Sequence, residues 1–305
     1  MSILKKFKKS TFGQYMISEY HCLASYWYPR LVSDKKAVIR YYKKKSGGKM
    51  LNLENPRTFS EKLQWYKLNA KNPLMQICAD KVAVRDYLTD LGCAELLNDV
   101  HGIYGSVKDI DWDVLPERFV IKAAHGSGQN IIVTDKKKLN IRNTKRMLNS
   151  WLHQDISWSG REWVYRGMPR RIIAEKFLQD ETGELRDYKF FCFNGKPTFM
   201  QLEVGRFTEH NTRNFYDMEW NLMPFGKEFP HNPNIVIEKP AMFEEMKAVA
   251  EKLCQPFQFV RVDLYQVNGK IYFGELTFFP AGGAPDFVPS EYDEIVGGFW
   301  ELKEK

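Results

Sequence analysis

The sequence predicts an α+β fold built on antiparallel sheets, and three observations favour it. From Phe119 onward, several segments alternate apolar and polar residues with the period of two that is typical of strands. Helical patterns lie between these segments without strict strand-helix alternation, which argues against a doubly wound parallel sheet. Near the C-terminus, two strand-like segments meet at Asn268-Gly269, a dipeptide typical of hairpin turns.

The first 48 residues are predicted to be a basic helical segment that ends at Ser46-Gly47-Gly48. Residues 1–45 contain eleven Lys or Arg but only two acids, so the net charge of +7 belongs to this segment rather than to the remaining chain. We therefore expect no nucleic-acid partner for the folded body. Apolar residues between the lysines indicate either an amphipathic helix on an anionic membrane surface or an ordinary solvated helix.

The helices that follow have recognisable starts. Thr58 and Glu61 have the spacing of a capping box, in which each side chain bonds the backbone of the other. Asp80 is expected to cap a second helix that ends at Gly92. Two more helices are predicted at 142–153 and 240–254, the latter with Pro240 at its first position.

Five further segments are predicted to be strands, and together with the helices they suggest four domain ranges. The strands are residues 119–123, 130–134, 171–178, 187–193 and 196–204. The ranges are 1–48 for the basic segment, 49–118 for a helical region, 119–178 for a small subdomain and 179–305 for a large subdomain. The chain lacks an apolar run of about 20 residues and a secretory signal, so a cytoplasmic location is expected, with peripheral membrane contact as an option.

The C-terminal hairpin, residues 259–279, offers Asp263, Glu275 and Thr277 as oxygen ligands of the kind that Mg²⁺ prefers. The turn decides whether the two acids share a face, because a shift of one residue reverses every side chain. A two-residue loop would place Asp263 opposite Gly274. We therefore predict a three-residue loop, Val267 to Gly269, that brings both acids to one face. A surface hairpin with solvated acids is the alternative.

A glycine-containing loop follows the strand that carries Lys122. Its residues His125, Gly126, Ser127 and Gly128 lead directly into the next strand. Glycines allow backbone N–H groups to approach phosphate oxygens, and a lysine at the strand end adds positive charge. No Gly-Lys-Ser/Thr sequence opens a helix here, so the loop is not a Walker loop. A tight turn without a ligand is the alternative reading.

The order of these features resembles the ATP-grasp ligases, in which two α+β subdomains clasp ATP. Asp80-Lys81 and Lys122 resemble the two phosphate-binding lysines of that family, and residues 126–128 resemble its phosphate lid. Residues 175–178 resemble the hinge that bonds adenine, and Arg261 to Thr277 its metal strands. The implied nucleotide-binding set is Lys81, Lys122, His125, Gly126, Ser127, Gly128, Glu175, Lys176, Phe177, Leu178, Asp187 and Lys189.

Four phrases, at 55–65, 79–88, 187–197 and 274–283, are more closely similar to the TupA-like ATP-grasp branch, which is associated with surface-polysaccharide biosynthesis. The resemblance implies ATP and Mg²⁺ as cofactors. It also implies that a carboxylate, such as a uronic acid of a glycan, is ligated to an amine or amino acid through an acyl phosphate. Arg261 and Arg206 are then the candidate catalytic cations. The family usually has Asn where Thr277 stands, and a hydroxyl is a poorer ligand.

One motif favours a different enzyme class. Asp109, Asp111 and Asp113 repeat the D-x-D pattern that some glycosyltransferases use to hold a metal-bound nucleotide sugar. No nucleotide-binding βαβ pattern precedes the motif, and a short acidic loop explains it equally well. Glycosyl transfer is therefore the alternative function.

Overall fold

The computed structural model describes residues 11–180, 185–204, 212–235 and 237–303. Its helices are α1 Thr11–Leu31, α2 Asp34–Lys45, α3 Phe59–Asn69, α4 Pro73–Ala79, α5 Val84–Asp90, α6 Ile141–His153, α7 Ser157–Gly160, α8 Phe243–Cys254 and α9 Tyr292–Gly298. Its strands are β1 Val100–Tyr104, β2 Phe119–Ala123, β3 Asn130–Val133, β4 Ile172–Lys176, β5 Asp187–Phe193, β6 Lys196–Val204, β7 Thr212–Asp217, β8 Leu222–Met223, β9 Gly226–Lys227, β10 Phe259–Val267, β11 Lys270–Thr277 and β12 Phe287–Val288. The predicted α+β class with antiparallel sheets is confirmed.

The chain forms two compact units that interleave along the sequence. Among the described residues, unit 1 takes the chain up to residue 37, residues 76–90 and residues 98–177, and unit 2 takes residues 38–75, 91–97 and those from 178 onward. The four predicted domain ranges are continuous instead, and they stay predictions.

Unit 1 contains a four-stranded sheet in the order β1-β4-β2-β3, with antiparallel neighbours throughout. Alternate residues of the central strands, among them Phe119, Ile121 and Ala174, are fully buried and form a core with Leu148 and Leu152 of α6. Since side chains alternate along a strand, Lys122 and Glu175 point to the face opposite this core. On that face, Lys122 and Glu175 form an ion pair.

Unit 2 contains a six-stranded antiparallel sheet in the order β11-β10-β5-β6-β7-β8. Helix α8 covers one face, where Phe243 stacks on Phe190 with ring centroids 5.9 Å apart. On the other face, Phe59 of α3 packs against Phe259 and Phe193 at 5.2 and 5.9 Å. The aromatic cluster continues across this face through Phe191 and Phe199 to Phe215. Polar side chains lie beside it on the same face, where Lys189 pairs with Asp263.

Local sequence signals account for several element ends. Thr58 Oγ1 accepts from Glu61 N–H, and Glu61 accepts from Thr58 N–H, so the capping box is confirmed. Asp80 Oδ1 accepts from the N–H groups of Val82 and Ala83. These residues form a turn before α5, which begins at Val84, so Asp80 caps this turn rather than the first residue of the helix. Gly92 has a φ of +65° after α5. The prediction for Pro240 was wrong, because α8 begins at Phe243, whose N–H bonds the Pro240 carbonyl in a preceding turn.

Candidate functional site

The two acids of the C-terminal hairpin are direct cross-strand partners. Asp263 on β10 pairs with Glu275 on β11, so both side chains lie on one face, as predicted. The predicted route to this register was wrong. Val267 pairs with Lys270, which leaves a two-residue turn of Asn268 and Gly269 with φ values of 49° and 72°. These positive values suit the tight turn that the Asn-Gly dipeptide favours.

A β-bulge at Gly274 corrects the register instead. Leu264 pairs with Phe273 and Asp263 pairs with Glu275, so Gly274 is the extra residue. A Cβ at Gly274 would lie 2.9 Å from the Asp263 carbonyl oxygen and 3.0 Å from the Tyr265 ring. A side chain would therefore collide with the backbone of β10, and glycine permits the close approach that places the two acids together.

The acids belong to a connected polar cluster on this face of the unit 2 sheet. Asp263 is bidentate to Arg261, with both N···O distances at 2.6 Å, and its Oδ2 also lies 2.8 Å from Lys189 Nζ. Lys189 makes a second ion pair with Asp187. The cluster therefore holds two cations between Asp187, Asp263 and Glu275.

Arg261 also reaches the second strand of the hairpin. Its Nη2 lies 3.4 Å from Glu275 Oε1 and donates to Thr277 Oγ1 at 3.1 Å. Thr277 Oγ1 donates in turn to Glu275 Oε1 at 2.8 Å. The three predicted metal ligands and the predicted catalytic arginine thus form one contiguous group, joined to Lys189 and Asp187 through Asp263.

Burial and charge act in opposite directions in this cluster. Burial raises the pKa of Asp263, and Arg261 and Lys189 oppose that rise. Burial by itself would lower the pKa of both cations, yet the carboxylates raise the pKa of Arg261 and of Lys189 above their ordinary values. Both cations therefore stay charged. With three carboxylates around two cations, the cluster carries a surplus of negative charge that favours a further cation.

The donor set fits Mg²⁺ in its chemistry, because all three predicted ligands are hard oxygen atoms. Asp263 is buried at 1% side-chain exposure, whereas the Glu275 side chain is 37% exposed. In the part of the chain that the structure describes, no three His, Cys, Asp or Glu residues form a metal-binding group. The protein thus offers two carboxylates and a hydroxyl, which suits an ion that takes its other ligands from water and phosphate.

Unit 1 places Lys122 beside Glu175. Their side chains are diagonal neighbours on β2 and β4, and Lys122 Nζ lies 2.6 Å from Glu175 Oε2. Both are partly buried, with 22% and 12% of the side chain exposed. The predicted phosphate-binding lysine is therefore oriented by the first residue of the predicted adenine-binding hinge.

The glycine-containing loop joins β2 to β3 next to these residues. Lys81 Nζ donates to the Gly126 carbonyl at 2.5 Å, and the Lys81 N–H bonds the Ala124 carbonyl at 3.1 Å. Ser127 and Gly128 are exposed at the loop tip, where Gly128 has a φ of +71°. Both predicted lysines and the predicted lid thus lie together in unit 1, while their nucleotide contacts stay predictions.

His125 is buried inside unit 1 at the start of this loop. Its Nε2 is 2.9 Å from the Trp151 carbonyl, and its Nδ1 accepts from the Arg171 N–H at 3.4 Å. This pairing requires the neutral Nε2–H tautomer, and burial lowers the pKa of His125 in agreement. Because both ring nitrogens bond backbone groups, the observed role of His125 is to position the loop rather than to present a free nitrogen to a phosphate.

The predicted hinge begins on β4 and continues beyond it. The Lys176 carbonyl accepts a hydrogen bond from Asn98 Nδ2 at 2.8 Å. The Lys176 ammonium lies 3.0 Å from the exposed Asp99 carboxylate. The Phe177 ring lies under the Arg118 guanidinium at 4.2 Å. Phe177 and Leu178 are both half-buried. Adenine binding by this segment stays a prediction.

Two further contacts were not anticipated from the sequence. Arg171 Nη2 lies 2.7 Å from the Asp80 carboxylate, so it holds the side chain that bonds the turn before α5. Gln64 and Lys67 of α3 donate to the Gly282 carbonyl at 3.0 and 2.7 Å. The second pair of bonds fixes the segment that follows Thr277. The glycine pair at 282–283 was the available signal, since both residues have positive φ.

The other candidates have different outcomes. Arg206 lies outside the described residues, so its catalytic role stays a prediction. In the D-x-D motif, Asp111 Oδ1 accepts from the Asp113 N–H at 3.0 Å, which closes a local turn. The buried ring of Trp112 anchors this turn in the core of unit 1. The motif is therefore used structurally, and no contact of the described residues favours glycosyl transfer.

Comparisons with known proteins bear on the family and the fold of the chain. A family model described as TupA-like ATPgrasp matches residues 61–300. Among curated proteins, no sequence match was found. No helix in the described ranges has the length and apolarity that crossing a bilayer requires.

Solved structures of ATP-grasp ligases are among the structural matches. D-alanine–D-alanine ligase from Bacillus anthracis complexed with ATP has 17% identity and a TM-score of 0.41. The match covers 66% of this chain and 55% of the ligase chain. The Helicobacter pylori D-alanine–D-alanine ligase has 13% identity and a TM-score of 0.39, covering 74% and 62%. The ATP-grasp ligase PsnB complexed with minimal precursor, Mg and ADP has 11% identity and a TM-score of 0.39. The match covers 72% of this chain and 57% of PsnB. The chain thus spans less than two thirds of each ligase.

Proposed function

The chain belongs to the TupA-like ATP-grasp family, and from this premise we propose that it is an ADP-forming ligase that joins a carboxylate to an amine. The finer proposal is that the amine is an amino acid or related compound and that the carboxylate is a uronic acid of a bacterial surface or capsular polysaccharide or its precursor. One observation carries the proposal: the pairing of Asp263 with Glu275 beside Arg261, in a cluster with surplus negative charge.

ATP and Mg²⁺ are the proposed cofactors. Asp263 and Glu275 would hold the ion, with Thr277 beside Glu275 as a weaker donor. When bound, Mg²⁺ offsets phosphate charge, and ATP supplies the phosphoryl group that converts a carboxylate into an acyl phosphate. Lys189, which contacts both Asp187 and Asp263, keeps Asp263 ionised and oriented for the ion.

The remaining roles follow from charge and backbone geometry. Arg261 has donors in a planar fork and stays charged, so it can stabilise an oxyanion that develops when the amine attacks. In unit 1, Lys81, Lys122 and the N–H groups of the 126–128 loop are proposed to bind phosphate oxygens. The backbone of residues 175–178 is proposed to bind adenine. Arg206 is proposed to contact the acidic acceptor.

An assay of ADP formation tests this function directly. Purified protein with ATP and Mg²⁺ should release ADP only when both an amine and a carboxylate are supplied, and panels of amino acids and uronic acids would identify the pair. The Glu275→Gln variant should lose roughly a hundredfold or more of this activity, whereas Glu244→Gln, at an exposed position on α8, should retain it. UDP release from a nucleotide sugar without ATP consumption would instead establish the glycosyltransferase alternative.

The cellular setting is a separate proposal. A cytoplasmic enzyme that meets polysaccharide precursors at the inner face of the membrane would fit the basic character of residues 1–45.

A further inference from the structure

Helix α1 has apolar residues on two sides, and unit 1 covers one of them. The helix contacts α6 and α7 of the same unit. On this side, the Tyr28 ring lies 5.6 Å from the Trp158 ring, and Arg161, which is buried, donates to the Val32 carbonyl at 2.7 Å just after the helix. A helix that is apolar all round is normally buried all round. The other side of α1 is therefore the informative one.

Four large apolar side chains form an exposed stripe along that other side. Spacings of four and seven residues place them on one helical face. The stripe consists of Met16, Leu23, Trp27 and Leu31, with exposed fractions of 46, 63, 57 and 77%, whereas the Tyr20 ring lies 6.3 Å from the Trp158 ring. Leu23, Trp27 and Leu31 lie in its C-terminal half and are exposed by more than half. Surface hydrophobic residues are normally scattered, so a continuous stripe of this length indicates an interaction surface.

The charge around the stripe selects the partner. Arg30 lies over the Tyr26 ring at 3.7 Å beside the stripe, and Lys35 and Lys36 of unit 1 are exposed just after it. In the sequence of residues 1–37, which belong to unit 1, basic residues outnumber acidic ones by seven to two. Aromatic residues with polar edges and a surplus of Lys and Arg are the composition of helices that lie in the interface of an anionic bilayer.

We propose that α1 docks on an anionic lipid membrane, with the stripe inserted at the boundary between headgroups and acyl chains and the basic residues at the lipid phosphates. Docking of a second copy through the same face is disfavoured, because it would bring two strongly basic segments together. The proposal rests on α1 and its charges and does not depend on the proposed ligase activity.

Vesicle sedimentation of the full chain tests this proposal. The protein should bind vesicles of phosphatidylcholine with phosphatidylglycerol at about 0.1 M salt, and the binding should weaken at about 1 M salt as charges are screened. Binding to phosphatidylcholine vesicles should be weaker, because the electrostatic attraction is absent. The triple variant Leu23→Gln/Trp27→Gln/Leu31→Gln should lower the partition coefficient by about tenfold or more.

Matched controls separate the stripe from general surface hydrophobicity. Met50→Gln/Val114→Gln removes two apolar side chains that are 79% and 78% exposed elsewhere, and it should bind as the wild type does. Lys35→Gln/Lys36→Gln should weaken binding to anionic vesicles only. This double variant tests the proposal even if circular dichroism shows that the triple variant is unfolded.

Three results would overturn the proposal. These are the absence of vesicle binding by the wild-type protein, equal binding by the triple variant and the wild type, and unchanged binding by the lysine variant. A dimer in sedimentation velocity that the triple variant converts to monomer, without vesicle binding, would assign the stripe to a second copy.

Discussion

Replacement of Asp263 by Asn removes the carboxylate that two buried cations share. Asp263 is 1% exposed and contacts Arg261 through both oxygens and Lys189 through one. The amide keeps the shape but not the charge, so Arg261 and Lys189 lose their common counterion. Breaking a buried ion pair from one side typically costs about 3–5 kcal/mol of unfolding free energy. A loss of this size is a large part of the roughly 5–15 kcal/mol that stabilises a typical native protein.

Replacement of Glu275 by Gln provides the matched comparison. The Glu275 side chain is 37% exposed, and its distance to Arg261 is 3.4 Å. Because the carboxylate is partly solvated and the contact is long, the pair contributes far less than a buried ion pair, about 0–1 kcal/mol. Thr277 can still donate to the amide oxygen, so the local bonding survives. Glu275→Gln should therefore retain nearly wild-type stability, while its loss of charge should still lower Mg²⁺-dependent turnover.

Urea denaturation of both variants, with ADP formation measured in parallel, tests this contrast. We expect a much lower unfolding midpoint for Asp263→Asn than for Glu275→Gln, and strongly reduced turnover in both. Equal midpoints would refute the inference that Asp263 is the counterion of the buried cations. Full turnover in Glu275→Gln would refute its role as a metal ligand.

Three other substitutions test separate parts of the structure. Gly274→Ala should lower the unfolding free energy by about 1–3 kcal/mol and should lower turnover, because its Cβ would lie 2.9 Å from the β10 backbone. Gly298→Ala has open space at its Cβ and should leave stability and turnover unchanged. Equal denaturation midpoints of the two variants would contradict the bulge argument. Burial lowers the pKa of His125 in the folded state, so its contribution to stability is present above the ordinary histidine pKa of about 6.5 and is lost as pH falls below it. His125→Gln should therefore reduce the fall in the unfolding midpoint between about pH 7 and pH 5. His153→Gln, at an exposed position, should leave that fall unchanged. Identical pH profiles of wild type and His125→Gln would contradict the assignment of the fall to His125. Thr58→Ala should lower the unfolding free energy by about 1 kcal/mol through loss of the cap, and thermal denaturation that detects no change would argue against the capping box.

The sequence was sufficient wherever the signal was local. The period of two predicted β5 and β6 with their observed ends, because apolar residues recur at every second position, as at Tyr188, Phe190 and Cys192 in β5. The capping box at Thr58 needs only residues within one turn. By contrast, β1 and β7 were not predicted, since their sequences contain Gly, His, Asn and Arg that dilute the pattern.

The candidate site shows the same division between local and distant information. The hairpin acids and Arg261 could be identified because residues within one hairpin share a face at fixed spacing. The turn was predicted incorrectly because the Asn-Gly chemistry acts at the loop, whereas the register is reset six residues away by the contact of Gly274 with the β10 backbone. The pairing of Asp80 with Arg171 joins residues that are 91 positions apart, and no local pattern encodes it.

The central claim is that the paired acids of β10 and β11 hold the magnesium ion of a nucleotide. The most direct measurement is a crystal structure of the protein with Mg²⁺ and a non-hydrolysable ATP analogue. The account predicts an ion bound to the carboxylates of Asp263 and Glu275 and to phosphate oxygens, with Arg261 displaced from at least one Asp263 oxygen. A bound nucleotide whose metal contacts neither acid, with Arg261 still bidentate to Asp263, would contradict it.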